Sequence, residues 1–305
     1  MFRGHFAGVF VLCVTAISCA SSAETERPQR TVLRISATTA RDLQSAFPKL
    51  RDIEFKVVTE GGSSITGLQN LQQGRIDVAI AMADVAYLAY AGQLDGAQAP
   101  FDRLRGLAVI TLNTLHLVAG RDAPVRSIRD LKGRRVALGP EGSATALIAE
   151  RALEAHGIGL SDVNSYRLPY AETAEKLARG ELDAAFMTQI PPSAPVVTAA
   201  KGGARLLDID GPLVEEMRTR YPYLKRTTIA RATYPNQAEL VHTIGVDLLL
   251  ACRAGISEDV VYRLLDAFFE VRPGSLTADL ERAPATPIPL HAGAARYYRQ
   301  RELSR

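Results

Sequence analysis

The stretch TEGGSSITGLQNLQQGRIDVAIAMAD, residues 59–84, indicates how this chain folds. A glycine–serine loop leads into Ile65, Leu68 and Leu71, whose spacing predicts one apolar face of a helix. Gly74 fits the position just past a helix end, where a left-handed residue is common. The segment DVAIAMA that follows is apolar on both faces, which is typical of a buried strand in a parallel sheet. The stretch therefore predicts a loop, a helix and a buried strand in succession.

The alternation of strand and helix continues along the chain. Strand-like segments such as TVLRISA, IEFKVVT, RRVALG and LDAAFMT are separated by helical segments of about ten to fifteen residues, as in βαβ units. We therefore expect an α/β fold with mixed, mostly parallel sheets. An internal echo suggests two similar halves, because Gly74 and Asp77 recur in the same local plan as Gly180 and Asp183.

Length and composition narrow the class of protein. The chain has 305 residues, which suggests two lobes because a single core of this size is uncommon. Its 47% hydrophobic and 23% charged residues are ordinary for a globular protein. A formal net charge of +3, without a long run of Lys or Arg, argues against nucleic acid as a partner.

The N-terminus has the pattern of a secretory signal peptide. Residues 1–23 contain an early Arg, an apolar run and then small residues, and the run is shorter than the ~20 residues needed to span a bilayer. Cleavage after Ala23 would follow an S-x-A site, whereas AISC resembles a lipobox with Cys19 as the lipidated residue. We therefore expect a periplasmic protein, with a lipid anchor at Cys19 as the alternative. Cys252 lies in an apolar segment and is interpreted as a core residue.

Three loops lie where an α/β sheet places its ligands, beyond the carboxyl ends of strands. They are residues 61–64, 139–145 and 187–191. The first two precede helices, whose free N–H groups and partial positive charge suit an anion such as a carboxylate. The alternative is that each Ser or Thr only caps its helix. Asp84, at the end of the third strand, has the same two interpretations: it accepts from a ligand or it caps the next turn.

Signatures of catalysis and of cofactor binding are missing from the sequence. It contains no P-loop string, no G-x-G-x-x-G after a strand and no G-x-S-x-G elbow. No two of the five histidines have the spacing of a metal pair, and His116, within LHLVAG, is interpreted as a core histidine. We therefore expect no catalytic residue, no metal and no cofactor, and a protein that is not an enzyme.

Several motifs occur in the order of one known family. They are the segments at 57–92, 128–158, 177–187 and 289–303, which include TEGGSS, LQQGRIDVAIAMAD, DLKGRRVALGPEGSAT and LARGELDAAF. With these motifs the chain resembles the solute-binding proteins of the TAXI type, which serve TRAP transporters. Motifs in a common order across nearly the whole mature chain are more specific than any one of them.

The resemblance implies a two-lobed periplasmic binding protein fold of type II with a cleft between the lobes. Lobe 1 would comprise residues 31–123 and 240–305, and lobe 2 residues 124–239. The ligand implied is a small carboxylate, either an amino acid or a dicarboxylate. The implied partners are TRAP membrane subunits on separate chains, which are driven by an ion gradient.

The resemblance also implies which residues form the binding site. They are Ser64, Asp84, Ser143, Thr145, Gln189 and Pro191. The chain departs from the family pattern at several of these loops. Gly67 stands where the family has Asn, Ala144 replaces the second Gly of G-S-G-T, and the Tyr pair near the first helix is missing. The motifs therefore predict the fold more strongly than they predict the ligand.

Two other functions are compatible with the same sequence. A protein of this fold can report its ligand to a membrane receptor or kinase, which would make the chain a periplasmic sensor. A periplasmic hydrolase is the remaining alternative, although no nucleophile and base can be paired from the sequence. Neighbouring genes for TRAP subunits would favour transport, whereas a neighbouring kinase would favour sensing.

Overall fold

The computed structural model describes Met1 and residues 31–59, 63–271 and 279–303, and Thr31–Arg305 forms one compact unit. The strands are β1 (Thr31–Ser36), β2 (Ile53–Thr59), β3 (Val78–Met82), β4 (Leu104–Ala119), β5 (Arg135–Ala137), β6 (Asn164–Tyr166), β7 (Ala184–Gln189), β8 (Arg205–Leu207), β9 (Leu224–Ile229) and β10 (Val241–Arg253). The α-helices are α1 (Ala37–Leu43), α2 (Ser64–Gln72), α3 (Ala83–Tyr90), α4 (Ala144–Ala155), α5 (Tyr170–Ala178), α6 (Ala194–Lys201), α7 (Pro212–Arg220), α8 (Glu258–Val271) and α9 (Ala292–Leu303). Short 3₁₀ helices cover Gln44–Lys49, Ile128–Leu131 and Leu160–Asp162.

The strands form one mixed sheet in the order β2-β1-β3-β10-β4-β7-β5-β6, with β9 beside β10 and β8 beside β4. Parallel pairing occurs at both ends, within β2-β1-β3 and within β7-β5-β6. The two long central strands, β4 and β10, are antiparallel to each neighbour. The α/β fold predicted from the alternating pattern is confirmed, and the parallel βαβ units lie on either side of an antiparallel centre.

Strand β4 passes from one half of the sheet to the other. It pairs with β10 from Leu104 to Thr114 and with β7 from Thr114 to Ala119. The predicted lobe boundaries at 123/124 and 239/240 fall just after β4 and just before β10, and they stay predictions. The pattern of the segment at 240–253 is also compatible with two paired strands, but the segment forms only one. It is the single strand β10, because β3, β4 and β9 supply its partners from elsewhere in the chain.

The opening stretch folds as its pattern predicts. Leu68 and Leu71 are fully buried on one face of α2, and β3 buries side chains on both faces. Gly74 has a φ of +69°, the left-handed conformation expected just past the end of a helix. These features set the direction in which α2 returns the chain to the sheet.

The internal echo corresponds to a repeated ion pair. The Asp77 carboxylate accepts from the backbone N, Nε and Nη2 of Arg34 at 2.8, 2.9 and 2.8 Å. The Asp183 carboxylate accepts from the same three atoms of Arg135 at 2.8, 3.2 and 2.8 Å. Each pair joins an arginine in one parallel strand to the aspartate just before the neighbouring strand. The two halves therefore share a local structure as well as a sequence pattern.

Some predictions concern residues outside the described part of the chain. They are the signal peptide at 1–23, lipidation at Cys19, and the glycines at 61 and 62 of the first loop. Cys252 is described, and it is a buried free thiol in β10, as expected of a core residue. None of the helices in the described ranges combines the length and the apolarity that crossing a membrane requires.

Candidate functional site

The starts of α2 and α4 meet at the surface of the sheet. Ser63 caps α2, with its Oγ accepting from the Thr66 N–H at 3.2 Å. Ser143 caps α4 in the same way, through the Ala146 N–H at 3.2 Å. Between them lies Gly142, where an added Cβ would stand 3.7 Å from the Ser63 Oγ. The N-termini of α2 and α4, one from each half of the sheet, therefore lie close together.

Ser64 and Thr145 follow the two capping serines, and both make protein contacts. The Ser64 Oγ accepts from the Met82 N–H at 3.0 Å, which ties the start of α2 to the end of β3. Thr145 is buried, and its Oγ1 lies 2.5 Å from the Tyr170 hydroxyl. Of the two, only Ser64 is partly exposed. Their roles in ligand binding stay predictions.

Gln189 and Pro191 lie at and beyond the end of β7. Gln189 pairs with Thr114, at the point where β4 passes from β10 to β7, and both Gln189 and Pro191 are half-buried. The segment that follows is anchored by Tyr234, whose hydroxyl accepts from the Ser193 N–H at 3.1 Å. The structure thus places Gln189 near the crossover of the central strands. Contact of either residue with a ligand stays a prediction.

His116 lies beneath this segment and is a core histidine, as predicted. Its Nε2 lies 2.8 Å from the Tyr234 hydroxyl, and its Nδ1 lies near the carbonyl oxygens of Thr114 and Met187. Burial lowers the pKa of His116 to about 4, so the imidazole is neutral at pH 7. His116 therefore supports the loop after β7 from below.

Asp84 is completely buried in the first turn of α3. Among the described residues, no hydrogen bond of good geometry reaches either of its carboxylate oxygens. Burial raises the pKa of Asp84 to about 6, while the nearby Val85 N–H and the positive charge of Arg151 oppose this rise. A buried, unpaired carboxylate is costly to a folded protein. It therefore points to a partner that the protein itself does not supply.

Other buried side-chain oxygens near strand ends also lack protein partners. They are Oγ1 of Thr59 at the end of β2, Oγ1 of Thr188 near the end of β7, and Oδ1 of Asn113 next to the crossover in β4. Among the described residues none of these atoms has a hydrogen-bond partner. Two of them, Thr59 and Thr188, lie near the carboxyl ends of the parallel strands β2 and β7, which is the end where a ligand is expected.

Sequence reasoning missed Arg151 and Tyr223, and the ring of Tyr223 lies 6.2 Å from that of Tyr87 in α3. The Arg151 guanidinium carbon is 4.1 Å from the ring centroid of Tyr221 and 5.6 Å from that of Tyr223. Arg151 Nη1 and the Tyr223 hydroxyl are buried, and neither has a partner among the described residues. No local signal distinguishes Arg151 from a surface charge of α4, because its aromatic neighbours come from a distant segment of the chain.

A cavity of about 320 Å³ opens next to the same cluster. Its walls come from the start of α3, from β9 with the turn before it, from β10 and from a C-terminal loop. The lining residues are Ala83, Tyr87, Pro222, Tyr223, Lys225, Asp247, Ala285 and Pro287. The cavity is mainly apolar, and its volume is in the range of small-molecule sites.

Metal chemistry has no counterpart in the described part of the chain. Within the described ranges, no group of three His, Cys, Asp or Glu side chains is arranged to hold a metal ion. The chemical features of this region are instead two neighbouring helix N-termini, a buried carboxylate, a half-buried guanidinium and a mainly apolar cavity.

The fold matches that of periplasmic binding proteins. The alkanesulfonate-binding protein SsuA from Xanthomonas axonopodis pv. citri, bound to MOPS, aligns with a TM-score of 0.50 and 17% identity over 90% of this chain and 85% of that one. A protein from Xanthomonas citri bound to a chloride ion aligns with a TM-score of 0.50 and 15% identity over 88% of this chain and 95% of that one. The periplasmic aliphatic sulphonate-binding protein of Escherichia coli aligns with a TM-score of 0.48 and 18% identity over 88% of this chain and 83% of that one.

The family follows from the sequence match. The NMT1-like family matches residues 34–301, which is most of the chain, and the protein belongs to this family. The binding-protein fold predicted from the sequence is confirmed by the structural matches.

Proposed function

We propose that this protein is an extracytoplasmic solute-binding protein of the TAXI type. It captures a small carboxylate, either an amino acid or a dicarboxylate, for a TRAP-type secondary transporter. The observation that carries this proposal is the meeting of two capped helix N-termini, with the Ser63 Oγ 3.7 Å from the Cβ position of Gly142. A site shared by two halves of a protein suits a ligand that is enclosed when the halves close.

The physical case for an anion rests on the backbone. Each helix start presents N–H groups that the helix itself leaves without partners, and a partial positive charge of roughly +0.5. Two such ends directed at one place can hold a carboxylate without a lysine or arginine. Ser64 and Ser143 add hydroxyl groups, and Gln189 and Pro191 bound the site from the β7 side. Asp84 accepts a hydrogen bond from an ammonium or hydroxyl group of the same ligand.

The comparisons support the class of the protein more strongly than its cargo. Membership of the NMT1-like family and the binding protein fold both favour ligand capture outside the cytoplasm. The Xanthomonas neighbour is described as an alkanesulfonate-binding protein, so sulfonates belong among the anions to be tested. The signal-peptide pattern at residues 1–23 agrees with a periplasmic location. The TRAP membrane subunits are proposed as partners on the basis of the TAXI motifs.

Isothermal titration of the mature protein against amino acids, dicarboxylates and MOPS tests the proposal. We expect heat and a rise in melting temperature with at least one carboxylate. Ser143→Ala should weaken that binding, whereas Ser127→Ala, which removes a hydroxyl from the start of a different helix, should not. Absence of heat and of a thermal shift with all compounds would contradict the proposal.

The same samples separate binding from the alternatives. Mass spectrometry of the bound fraction should recover the carboxylate unchanged, because the protein is proposed to bind and not to turn over its ligand. Conversion of the ligand would favour the hydrolase alternative. Capture of a receptor or kinase, and not of TRAP subunits, by the loaded protein would favour the sensor.

A further inference from the structure

Strand β2 forms one end of the sheet, where it pairs with β1 alone among the described strands. It has seven residues, of which Val57 and Val58 are 52% and 38% exposed. At the opposite end of the sheet, β6 has only three residues. A very short edge strand discourages pairing with another chain, whereas a longer edge with exposed apolar side chains favours it. Strand β2 is therefore the end of this sheet that is suited to extension by a further strand.

We propose that β2 pairs with β2 of a second copy of this chain, antiparallel and across a twofold axis that passes through Phe55. Residues 53–57 of each copy form the contact, and the two sheets become one continuous sheet. A twofold contact of this kind uses the same surface on both copies and closes at the dimer. The inference is independent of the proposed function, because it concerns contacts between two copies and not contacts with a ligand.

The regularity of the strand selects the register. Strand β2 pairs with β1 without a shift from Ile53 to Val57, and the register shifts after Val57. The backbone N–H and C=O groups of alternate residues point outward from an edge strand, so two identical antiparallel edges are symmetric about a residue and not about a peptide bond. Symmetry about Phe55 pairs all five regular residues, whereas symmetry about Glu54 or Lys56 pairs only three of them.

The charges of the strand select the same register. Glu54 and Lys56 are both exposed, and they flank Phe55 on one face of the strand. With Phe55 on the axis, Glu54 of each copy faces Lys56 of the other, and this happens twice. Symmetry about Glu54 or about Lys56 would instead place two identical charges opposite each other. Because facing opposite charges stabilise a strand pair and facing like charges destabilise it, the edge is complementary to itself in one register.

Apolar side chains on the other face of the strand complete the contact. Phe55 stacks on Phe47 with the two ring centroids 4.1 Å apart, which restricts its motion before the copies associate. On the axis Phe55 faces its own copy, and on either side Ile53 faces Val57. Aromatic and β-branched residues are favourable partners across two strands. The dimer therefore covers Val57, the more exposed of the two valines.

Sedimentation velocity of the mature protein over a wide range of concentrations tests the inference. Five residues from each copy make a small interface, so we expect a weak dimer with a dissociation constant on the order of tens of micromolar. Glu54→Lys and Lys56→Glu each convert two opposite-charge pairs into two like-charge pairs. Each should raise the dissociation constant about 10-fold. Both side chains are exposed, so the variants should melt at the same temperature as the wild type.

Two further samples test whether the charges act as a facing pair. In an equimolar mixture of Glu54→Lys and Lys56→Glu, one copy carries two lysines and the other two glutamates, so the mixed dimer regains both opposite-charge pairs. The double variant Glu54→Lys/Lys56→Glu exchanges the charges in place and keeps the net charge of the wild type. We expect both samples to form dimers with a dissociation constant within about threefold of the wild-type value.

The matched controls are Val57→Lys in β2 and Tyr166→Lys in β6. The two side chains lie at opposite ends of the sheet and are 52% and 39% exposed. Val57→Lys places a charge opposite Ile53 and should abolish the dimer, because a lysine directed into an edge contact opposes pairing. Tyr166→Lys should leave the dissociation constant within about twofold, since exposed substitutions away from a contact have small effects.

The inference is overturned if the wild type stays monomeric at every concentration. It is also overturned by a dimer that Glu54→Lys and Lys56→Glu do not weaken, or by one that Tyr166→Lys weakens as much as Val57→Lys does. A protein that dimerises only after residues 24–30 are removed would assign the β2 edge to that leader, and this outcome too would contradict pairing between mature copies. None of these results depends on whether a carboxylate binds.

Discussion

The two ends of strand β3 carry buried aspartates in opposite situations. Asp77, before the strand, accepts from Arg34 and also from Nε and Nη2 of Arg253 at 3.2 and 2.9 Å. Burial works to raise the pKa of Asp77, but the hydrogen bonds from the two arginines outweigh it and the pKa is lowered. Asp84, just after the strand, has no such donors, and burial raises its pKa to about 6.

The difference between the two ends separates a structural site from the proposed binding site. At the amino end of the parallel strands the charges are satisfied within the protein, and Asp183 with Arg135 repeats the arrangement in the other half. At the carboxyl end, unpaired acceptors remain. Ligand sites in sheets of this kind lie at the carboxyl end, so the unsatisfied groups occur where a ligand can reach them. Replacing Asp77 and replacing Asp84 should therefore affect stability and binding in different ways.

The largest effect is expected from Asp77→Ala. Removing this carboxylate leaves the half-buried Arg34 and Arg253 without their partner, and losing hydrogen bonds to a charged group costs about 2 to 3 kcal/mol. Urea unfolding monitored by circular dichroism measures the loss. Ligand affinity in the folded fraction should stay close to that of the wild type, because Asp77 lies at the opposite end of β3.

Asp52→Ala is the matched control for this prediction. Asp52 also pairs with an arginine, Arg263, but both side chains are largely exposed. An exposed pair contributes about 0 to 1 kcal/mol. Equal losses for the two variants would show that Asp77 is no more important than a surface charge.

Asp84→Asn should change the stability in the opposite direction and make the protein more stable. It removes a buried negative charge without a partner, so we expect the free energy of unfolding at pH 7.5 to rise by about 1 to 3 kcal/mol. The same change should abolish or strongly weaken ligand binding, since function at such sites is often maintained at a cost in stability. Urea unfolding and calorimetry on the same preparation give both quantities. A loss of stability would mean that Asp84 has a structural partner after all.

The pH dependence of stability also distinguishes Asp84 from Asp77. Asp84 binds its proton more tightly in the folded state, with a pKa of about 6 against a reference value of 3.8. Its ionisation therefore destabilises the fold above pH 6, and this destabilisation disappears as the pH falls toward 4. The advantage of Asp84→Asn over wild type should shrink by about 2 kcal/mol between pH 7.5 and 4.5.

The quantity to follow with pH is the difference in the free energy of unfolding between Asp84→Asn and the wild type. His116 has a lowered pKa of about 4, so it makes the folded state less stable as the pH falls below its unfolded value. In the wild type this effect of His116 on stability opposes the effect of Asp84. Because His116 is present in both proteins, its contribution cancels in the difference between them. A pH-independent difference would contradict a raised pKa for Asp84.

Much of the fold was predictable because its signals are local. The stripe of Leu68 and Leu71, the left-handed Gly74 and the apolar strand after it are set by neighbours a few residues apart. The recurrence of Asp77 and Asp183 was visible in the sequence, but its cause was not. Their partners Arg34 and Arg135 lie in strands that become neighbours only when the sheet forms.

The candidate site was predictable only in part for the same reason. Ser63 and Ser143 stand at helix starts that a local pattern can identify, and the structure brings their loops together. Arg151 and Tyr223 come from segments with no motif in common, and each is distinguished by one buried polar atom without a partner among the described residues. Neither burial nor the lack of a partner is encoded within a few residues, so sequence reasoning passed over both.

The smallest effect concerns Thr145, a buried hydroxyl that does have a partner. Its Oγ1 lies 2.5 Å from the Tyr170 hydroxyl, so Thr145→Val should lower the free energy of unfolding by about 1 kcal/mol, the typical net value of one hydrogen bond. Tyr170→Phe removes the same bond from the other side and should cost a similar amount. The double variant should then lose less than the sum of the two, because the bond can be lost only once.

Binding measurements on these variants decide between the two roles of Thr145. If Thr145 serves only the fold, Thr145→Val and Tyr170→Phe should bind the ligand equally well. If its hydroxyl also contacts the ligand, as the family resemblance implies, Thr145→Val should bind more weakly than Tyr170→Phe. A paired hydroxyl would then act in binding just as the unpaired Asp84 does, and the presence of a protein partner would no longer separate structural from ligand-binding groups in this protein.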